Sequence, residues 1–346
     1  MIADRYYYNK LSTKEKQIYK DFYTGLKNCA SVIKTATVLN PEKAMDRIFK
    51  AIINDNPHIY YVDQTKMAYQ YSVHEIEIHP AYIFPKSQIA SLNQRFEDKA
   101  NDILSTVITT SKNNELSKET ALYEYFARNF SYDATALKAT DPIELCRAHS
   151  LLGVFLDGSA VCEGFAKAFK FLMNAMDMKC IVISGYADWD YESKHAWNIV
   201  KINDKSYHVD VTWAISDRRK DLVWYDYLNV SDKTISIDHS GFSGVPKCNN
   251  DDLDYFLNVA PQIDNMIYLK NHIRECIKNR EPSTTFKLLK GKEKHGIKDL
   301  SQGLYLIQEA AQKAQLEAAG VGFKMDMYER KQRHNYVVFF EYNQES

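Results

Sequence analysis

A cysteine, a histidine and an aspartate in this chain have the side-chain chemistry to attack a carbonyl group together. Cys162 stands in the stretch DGSAVCEGFAKAF, between a glycine–serine turn that could cap a helix and an apolar pattern with helical spacing. A helix N-terminus carries partial positive charge and unpaired N–H groups, which stabilise a thiolate and could bind an oxyanion. Cys162 is therefore a candidate nucleophile if a base and an orienting group lie beside it. The alternative is an ordinary buried thiol at the start of a helix.

The segment HAWNIVKINDKSYHVDVTW could supply the base and the orienting group, because it reads as two alternating strands around a turn. A two-residue turn at 203–204 puts His195 and Asp210 on one face, roughly 7 to 8 Å apart and within side-chain reach. A four-residue loop keeps them together, whereas an odd-length loop separates them. The carboxylate would orient and stabilise the imidazole, and His195 would take the proton from Cys162. His208 shares this face and has no better claim to a structural role than His195.

The elements that must hold these residues divide the chain into three predicted regions, with an α+β fold class overall. Residues 1–113 form an N-terminal helical or α+β region, which begins with a helix behind the capping box of Ser12 and Glu15. Residues 114–245 form a catalytic core with helices near 117–129 and 141–147, the helix that starts at the cysteine, and the hairpin. Residues 246–346 form a C-terminal α+β region with helices near 262–279 and 298–316.

Composition and charge exclude several classes of protein. The chain has 346 residues, of which 45% are hydrophobic and 26% charged, and its net charge is −1. This balance gives no global attraction to nucleic acid or to an anionic membrane, and we expect neither as a partner. The apolar runs are too short to span a membrane. The N-terminus has no apolar core typical of a signal peptide, so the chain as given reads as cytoplasmic, although an engineered start could have removed an export signal.

Six widely spread cysteines argue against a disulfide framework or a structural zinc site. The acidic stretch DWDYE at 188–192 places three acids at alternate positions, but it lacks the glycine and the terminal glutamate of a known calcium loop. We therefore expect a solvated loop there, and no metal or cofactor.

The residues around the three candidate side chains resemble a known family. The stretches GSAVCEGFAKAFKFLM, HAWNIV and YHVDVTW are similar to the transglutaminase-like superfamily of papain-type cysteine enzymes, over roughly residues 117–245. The flanking stretches HSLLGVFLDG and YDYLNVSD look like the bacterial branch. The resemblance implies a papain-like core, in which a nucleophile helix packs on an antiparallel sheet. It assigns Cys162 as nucleophile, His195 as base and Asp210 as orienting acid.

The resemblance also implies further roles that the residues alone do not assign. A side chain upstream of the nucleophile often completes the oxyanion hole in this family, and Tyr132 and His149 are the candidates, with structural roles as the alternative for each. Trp197 and Trp213 either wall the site or pack in the core.

Three functional hypotheses follow. The first is a cysteine-dependent acyl-transfer enzyme on peptide or protein amides, acting as a protease or amidase or as a transglutaminase. The second is a non-enzymatic binding or scaffold module that keeps the fold, with the flanking regions carrying the function. The third is an unrelated α+β protein with structural cysteine and histidine. The sequence does not identify the natural substrate, the acyl acceptor or the oligomeric state.

Overall fold

The computed structural model describes residues 5–36, 41–187, 193–216, 218–317, 322–330 and 332–342. Contacts group the chain into two compact units, residues 1–250 and 251–346. The three-region division predicted from the sequence stays a prediction. The mixed α and β fold class is confirmed. Within the described ranges, no helix combines the length and apolar character needed to cross a bilayer.

The first part of the first unit is a helical layer with a small antiparallel sheet. Its helices are α1 (Tyr6–Asn9), α2 (Thr13–Lys27), α3 (Pro41–Asp55) and α4 (Lys86–Thr110), and its strands are β1 (Ile33–Thr35), β2 (Ala68–Tyr71) and β3 (Ile76–His79). The strands pair in the order β1-β3-β2. The predicted capping box is present, since Ser12 accepts from the Glu15 backbone and Glu15 accepts from the Ser12 backbone.

The rest of the first unit holds the cysteine helix and the hairpin. Its helices are α5 (Glu115–Asn129), α6 (Pro142–Ala148), α7 (Cys162–Ala175) and α8 (Asp232–Ile235). Its strands are β4 (Ser131–Tyr132), β5 (Ser159–Ala160), β6 (Cys180–Ala187), β7 (Lys194–Ile202), β8 (Lys205–Val209) and β9 (His239–Ser240). Strands β8-β7-β6-β9 form an antiparallel sheet, and α7 packs on β6 and β7. The predicted nucleophile helix on an antiparallel sheet is confirmed.

The hairpin has the two-residue turn that the sequence predicts. Ile199 pairs with His208 and Ile202 with Lys205, and both turn residues, Asn203 and Asp204, have positive φ. Such a turn matches the right-handed twist of the flanking strands. The ladder ends sooner than expected, because β8 stops at Val209. Asp210 lies just beyond the strand, where its backbone N–H donates to the carbonyl oxygen of Tyr227.

The second unit packs helices on a four-stranded sheet. Its helices are α9 (Tyr255–Asn258), α10 (Met266–Lys278) and α11 (Gly303–Glu317), and its strands are β10 (Gln262–Ile263), β11 (Ser283–Leu288), β12 (Phe323–Arg330) and β13 (Asn335–Tyr342). The strand order is β10-β11-β13-β12. Its core includes Leu269 and Ile273 from α10, Ile307 from α11 and Val338 from β13.

Candidate active site

Cys162 occupies the first position of α7, where its backbone N–H has no partner within the helix. Its side chain packs against Ala166, Val182 and Ala196. The helix is tied to the sheet by the buried Asn198 of β7, which donates to the carbonyl oxygens of Ala166 in α7 and of Ile181 in β6. The nucleophile candidate therefore lies on a helix whose position is fixed by both packing and hydrogen bonds.

The cap predicted from the DGS sequence is wrong. The N-cap residue is Val161, whose side chain has no hydrogen-bond acceptor, while Asp157 pairs with Arg147. Gly158 takes the left-handed conformation, which suits glycine, and turns the chain into β5 before the helix starts. As a result, no capping side chain from this segment covers the first N–H groups of α7.

His195 and Asp210 are in direct contact. His195 Nε2 lies 2.7 Å from Asp210 Oδ2, and the side chains are 8% and 0% exposed. The other oxygen of Asp210, Oδ1, accepts the backbone N–H groups of Thr212 at 2.9 Å and Trp213 at 3.4 Å. The turn after β8 thus fixes the carboxylate, and the carboxylate fixes the imidazole.

Hydrogen bonding and charge favour the ionised forms of both side chains. Burial disfavours the charged form of His195, but the charge of Asp210 and hydrogen bonds with Asp210 and Cys162 raise the pKa of His195 to about 10. Burial also opposes ionisation of Asp210, yet the charges and hydrogen bonds of His195 and His239 hold its pKa well below the usual range. Since Nε2 of His195 faces Asp210, its Nδ1 is left for the Cys162 thiol.

Cys162 and His195 approach each other at the start of β7. Residues alternate faces along a strand, so Ala196, which touches Cys162, lies on the α7 side of the sheet. His195 shares the opposite face with Trp197, yet it lines the same cleft as Cys162 because it lies at the start of the strand, where the chain has just entered the sheet. The three predicted side chains are thus brought together.

Tyr132 lies beside the backbone of the nucleophile candidate. Strand β4 pairs in parallel with β5, and this ladder aligns Tyr132 with Ala160, two residues before Cys162. The Cys162 backbone N–H lies near the hydroxyl oxygen of Tyr132. Burial, with the nearby charges of Cys162 and Asp210, raises the pKa of Tyr132 to about 12, so the hydroxyl keeps its proton at neutral pH.

A cleft of about 490 Å³ opens over the cysteine. Its lining includes Cys162, His195, Gly185, Tyr186 and Lys194. The cleft therefore gives a ligand access to the sulfur and the imidazole together.

One wall of this cleft is an ion-paired cluster. Glu163 accepts from Lys167 at 2.7 Å and lies 3.0 Å from Nδ1 of His149. Burial opposes ionisation of Glu163, but Lys167 and His149 lower its pKa to about 2. The charge of the Glu163 carboxylate, next to Cys162, is thus balanced by its neighbours.

Comparison with known proteins gives a family match over part of the chain. The family model described as the transglutaminase-like superfamily matches residues 102–218, which include Cys162, His195 and Asp210. This segment belongs to the transglutaminase-like superfamily. No curated protein sequence matches the chain.

Solved structures overlap the chain partially and distantly. A structure described as a TGase has 14% identity and a TM-score of 0.32, with 54% of this chain and 52% of that chain covered. The periplasmic domain of TgpA from Pseudomonas aeruginosa, bound to ethylmercury, has 16% identity and a TM-score of 0.28, with 42% and 58% covered. The chain spans between half and three-fifths of the length of these two structures.

Trp197 and Trp213, both in the transglutaminase-like segment, lie beside the ring of His195. Trp197 is 1% exposed, and its ring is stacked 5.9 Å from that of His195, while the half-buried Trp213 lies 5.8 Å from it. Trp197 therefore belongs to the core and supports the imidazole from below. The cleft lining includes neither indole.

His239 contacts this site, and the sequence did not predict it. It lies in β9, outside the transglutaminase-like segment, and its Nε2 is 3.1 Å from Asp210 Oδ2. Its Nδ1 is 2.7 Å from Asp238 Oδ1. Because β9 meets the sheet through two residue pairs with β6, no local pattern in the sequence marks this histidine. Only the sheet order brings it to the site.

Two clusters among the described residues have the side-chain types of a metal site: His195, Asp210 and His239, and His208, Asp232 and Cys248. In the first, both imidazoles are engaged with the same oxygen of Asp210. In the second, Trp197 Nε1 donates to His208 Nδ1 at 3.1 Å, so neutral His208 carries its proton on Nε2, towards Asp232. Both sets of contacts are hydrogen bonds between donors and acceptors. The acidic loop at 188–192 lies outside the described residues.

Proposed function

We propose that this protein is a cysteine-dependent acyl-transfer enzyme that acts on peptide or protein amides. The observation that carries the proposal is that Cys162 and His195 line one open cleft, with Asp210 hydrogen-bonded to the imidazole of His195. Cys162 serves as nucleophile, His195 as acid and base, and Asp210 as the group that orients the imidazole. Superfamily membership of residues 102–218 supports this reaction class.

In this mechanism the proton of the Cys162 thiol passes to His195, which gives a thiolate–imidazolium pair. The raised pKa of His195 and the low pKa of Asp210 favour an imidazolium beside a carboxylate. The helix N-terminus at Cys162 adds partial positive charge on the other side of the sulfur. This ion pair supplies a nucleophile at neutral pH without a separate activation step.

The first half-reaction forms a thioester. The thiolate attacks the carbonyl carbon of the amide, a C–S bond forms, and the electron pair of the C=O bond moves to the oxygen. His195 then donates its proton to the leaving nitrogen, the C–N bond breaks, and an amine departs. The acyl group stays on Cys162 and the imidazole is neutral.

Tyr132 and the Cys162 backbone N–H form the oxyanion hole in this proposal. The hydroxyl and the N–H lie near each other, and a carbonyl oxygen seated between them would accept from both. His149, the other candidate, is engaged with Glu163 through Nδ1. We expect Tyr132→Phe to lower kcat by on the order of 10-fold to 10³-fold, because one oxyanion donor is lost. Little change in kcat would remove Tyr132 from the mechanism.

The second half-reaction transfers the acyl group to water or to a primary amine. The neutral His195 takes a proton from the acceptor as it attacks the thioester, the C–S bond breaks, and the thiolate–imidazolium pair returns. Water gives hydrolysis, and an amine gives a cross-link. Both acceptors reach the same thioester through the open cleft.

A labelling experiment tests the proposal. Purified full-length protein is incubated with a cell lysate and a tagged primary amine, and the lysate proteins are analysed for label and for new fragments. Labelled bands indicate amine transfer, and new fragments indicate hydrolysis. We expect Cys162→Ala to abolish both, whereas Cys146→Ala, which removes a buried thiol outside the cleft, leaves them unchanged. Full activity in Cys162→Ala would exclude the mechanism.

The pH dependence of alkylation separates the enzyme from a scaffold that only keeps the fold. A thiolate–imidazolium pair reacts with iodoacetamide well below pH 8, whereas an ordinary thiol does not. We expect fast labelling of Cys162 near pH 6 and slow labelling of Cys146, whose burial raises its pKa to about 12. Slow labelling of Cys162 at this pH would favour the scaffold hypothesis.

A further inference from the structure

A short segment, residues 224–230, holds the backbone at the point where Asp210 leaves its strand. The carbonyl oxygen of Tyr227 accepts the Asp210 backbone N–H at 3.0 Å, just after the end of β8. Val230 exchanges two backbone hydrogen bonds with His208, at 2.9 and 3.1 Å. The path of this segment therefore sets where the Asp210 side chain begins.

Helix α5 is hydrogen-bonded to this segment at three points. The bonds join Asn229 Nδ2 to Glu119 Oε2 at 2.7 Å, the Tyr123 hydroxyl to the Trp224 carbonyl oxygen at 2.6 Å, and the Tyr225 hydroxyl to Glu124 Oε1 at 2.7 Å. Glu119 and Tyr123 lie one helical turn apart and are both fully buried, whereas the Glu124 side chain is 27% exposed. Glu119 is thus the buried acid of this contact.

The contact between Glu119 and Asn229 leaves two buried oxygens without a donor. In the part of the chain that the structure describes, neither Glu119 Oε1 nor Asn229 Oδ1 has a hydrogen-bond partner. Both oxygens belong to the two planar groups that the 2.7 Å bond already joins. An ionised carboxylate only accepts, so it could satisfy neither atom. A protonated carboxyl group has one O–H donor, which on Oε1 would satisfy both atoms by donating to Asn229 Oδ1.

The surroundings of Glu119 also favour the neutral acid. Burial raises its pKa to about 8, although the hydrogen bond from Asn229 lowers it, and the like charge of Glu115 one turn earlier adds to the rise. Glu115 itself accepts the Asn203 backbone N–H of the hairpin turn at 2.8 Å. The other titratable groups near this contact include Tyr123, Glu124 and Arg128 in α5, Tyr225, Asp226 and Tyr227 in the segment, and Asp204 in the hairpin turn.

We propose that Glu119 is a positioning residue that acts in its protonated form. Its carboxyl group and the Asn229 amide form a cyclic pair of hydrogen bonds, which holds the segment 224–230 and, through Tyr227, the backbone of Asp210. Asn229 has a positive φ of 57°, a conformation that asparagine adopts more readily than most residues. The role of Asp210 rests on the proposed function, whereas the protonated pair does not.

The proton on Glu119 makes stability depend on pH. Above about pH 4.5 an unfolded glutamate is ionised, whereas folded Glu119 keeps its proton up to about pH 8. Its contribution to the free energy of unfolding is therefore complete below this range and is lost as pH rises through it. Glu119→Gln keeps one donor and one acceptor opposite Asn229 but cannot ionise. Relative to this variant, the unfolding equilibrium constant of wild type should rise about tenfold per pH unit across the range.

Denaturant unfolding of the full chain at a series of pH values measures this difference. All four tryptophans lie between residues 189 and 224, so their fluorescence reports on the first unit. Glu124→Gln is the matched control, because it makes the same substitution in α5 at a partly exposed acid bonded to the same segment. Its curve should run parallel to that of wild type. A parallel curve for Glu119→Gln as well would overturn the proposal.

A measurement on the wild type does not depend on any variant folding. Infrared spectra of protein labelled with ¹³C-glutamate distinguish a protonated carboxyl group from a carboxylate. We expect a protonated glutamate at pH 7 that is lost above about pH 8. If every glutamate is ionised at pH 7, Glu119 does not form the pair.

The link to Asp210 has its own readout, the pKa of His195. Glu119→Ala removes the pair at every pH, so the Asp210 carboxylate is held less well and the pKa of the His195 ring, followed by NMR, should fall by roughly one unit. Glu119→Gln should restore it. An unchanged pKa of His195 in a folded Glu119→Ala variant contradicts the positioning role. Full activity in Cys162→Ala contradicts the proposed function but not the Glu119–Asn229 pair, which the unfolding curves test separately.

Discussion

Two histidine–carboxylate pairs lie on one sheet, and their chemistry is opposite. His195 Nε2 is 2.7 Å from Asp210 and His208 Nε2 is 2.9 Å from Asp232, so distance and residue type hardly distinguish them. Yet the pKa of His195 is raised to about 10, whereas that of His208 is lowered to about 4. A histidine beside an aspartate is therefore not enough to make a base.

Burial lowers the pKa of His208, and the contact of its second ring nitrogen also disfavours protonation. His208 Nδ1 accepts the indole N–H of Trp197, so protonating this ring would turn two donors towards each other. The remaining nitrogen of His195 is left for Cys162, and interaction with Cys162 favours the protonated imidazole. Asp210 is also fully buried and held by two backbone N–H groups, whereas the Asp232 side chain is 24% exposed and better screened by water.

The largest effect that would test this contrast is loss of each imidazole. We expect His195→Ala to lower kcat/KM by on the order of 10³-fold or more, because the proton carrier is lost. His208→Ala should instead lower the free energy of unfolding by roughly 2–4 kcal/mol and leave the activity of folded protein nearly intact. Steady-state kinetics and denaturant unfolding of both variants measure this. Equal activity losses would erase the contrast.

The carboxylates should differ in the same direction by a smaller amount. Asp210→Asn removes the charge that stabilises the imidazolium, and we expect kcat/KM to fall by roughly 10²-fold to 10⁴-fold. Asp232→Asn still accepts from neutral His208, so activity should stay within about three-fold and stability should fall by about 1 kcal/mol. A large activity loss in Asp232→Asn would mean that the second pair also serves the reaction.

Stability should depend on pH in opposite ways at the two histidines. The pKa of His195 is raised by folding, so its stabilising contribution is complete below about pH 6.5 and is lost as pH rises towards 10. The pKa of His208 is lowered by folding, so its contribution is present above about pH 6.5 and is lost as pH falls towards 4. Denaturant unfolding measures the free energy of unfolding of wild type, His195→Gln and His208→Gln across this range. The difference between wild type and His195→Gln should shrink at high pH, and that between wild type and His208→Gln should shrink at low pH. Parallel curves would contradict the assignment.

The smallest expected effect comes from the indole that separates the pairs. Trp197→Phe removes the donor to His208 Nδ1 while keeping an aromatic ring beside His195. We expect the pKa of His208 to rise, by roughly one unit, because its protonated form no longer faces a donor. Titration of the histidine ring signals by NMR measures this. An unchanged pKa would mean that burial alone keeps His208 neutral.

Local patterns in the sequence predicted much of the architecture. The capping box at Ser12, the start of α7 at Cys162 and the turn at Asn203 and Asp204 were each marked by side-chain chemistry or periodicity, and the structure has all three. These features depend on neighbours within a few residues, so short-range physics is sufficient to place them. The cap expected from DGS failed because Gly158 ends the preceding turn and Ser159 joins a strand.

The sequence predicted the part of the candidate site that depends on local structure, and missed the part that depends on distant strands. Alternation along two paired strands put His195 and Asp210 on one face. The predicted helix start marked Cys162, and the family resemblance joined the three residues into one site. Neither could find His239, which approaches from a strand across the sheet, or choose Tyr132 over His149. Those placements depend on which segments pair over long distances.

The set of elements and the residue types that each presents can be predicted from the sequence, since these follow from periodicity, caps and turns. Which nitrogen of each histidine meets a donor or an acceptor depends on tertiary contacts. His195 and His208 lie on one face of the sheet, and each contacts an aspartate at a similar distance. Burial disfavours protonation of both rings. The charge of Asp210 and the thiol of Cys162 outweigh it at His195, whereas the fold places an indole N–H beside His208.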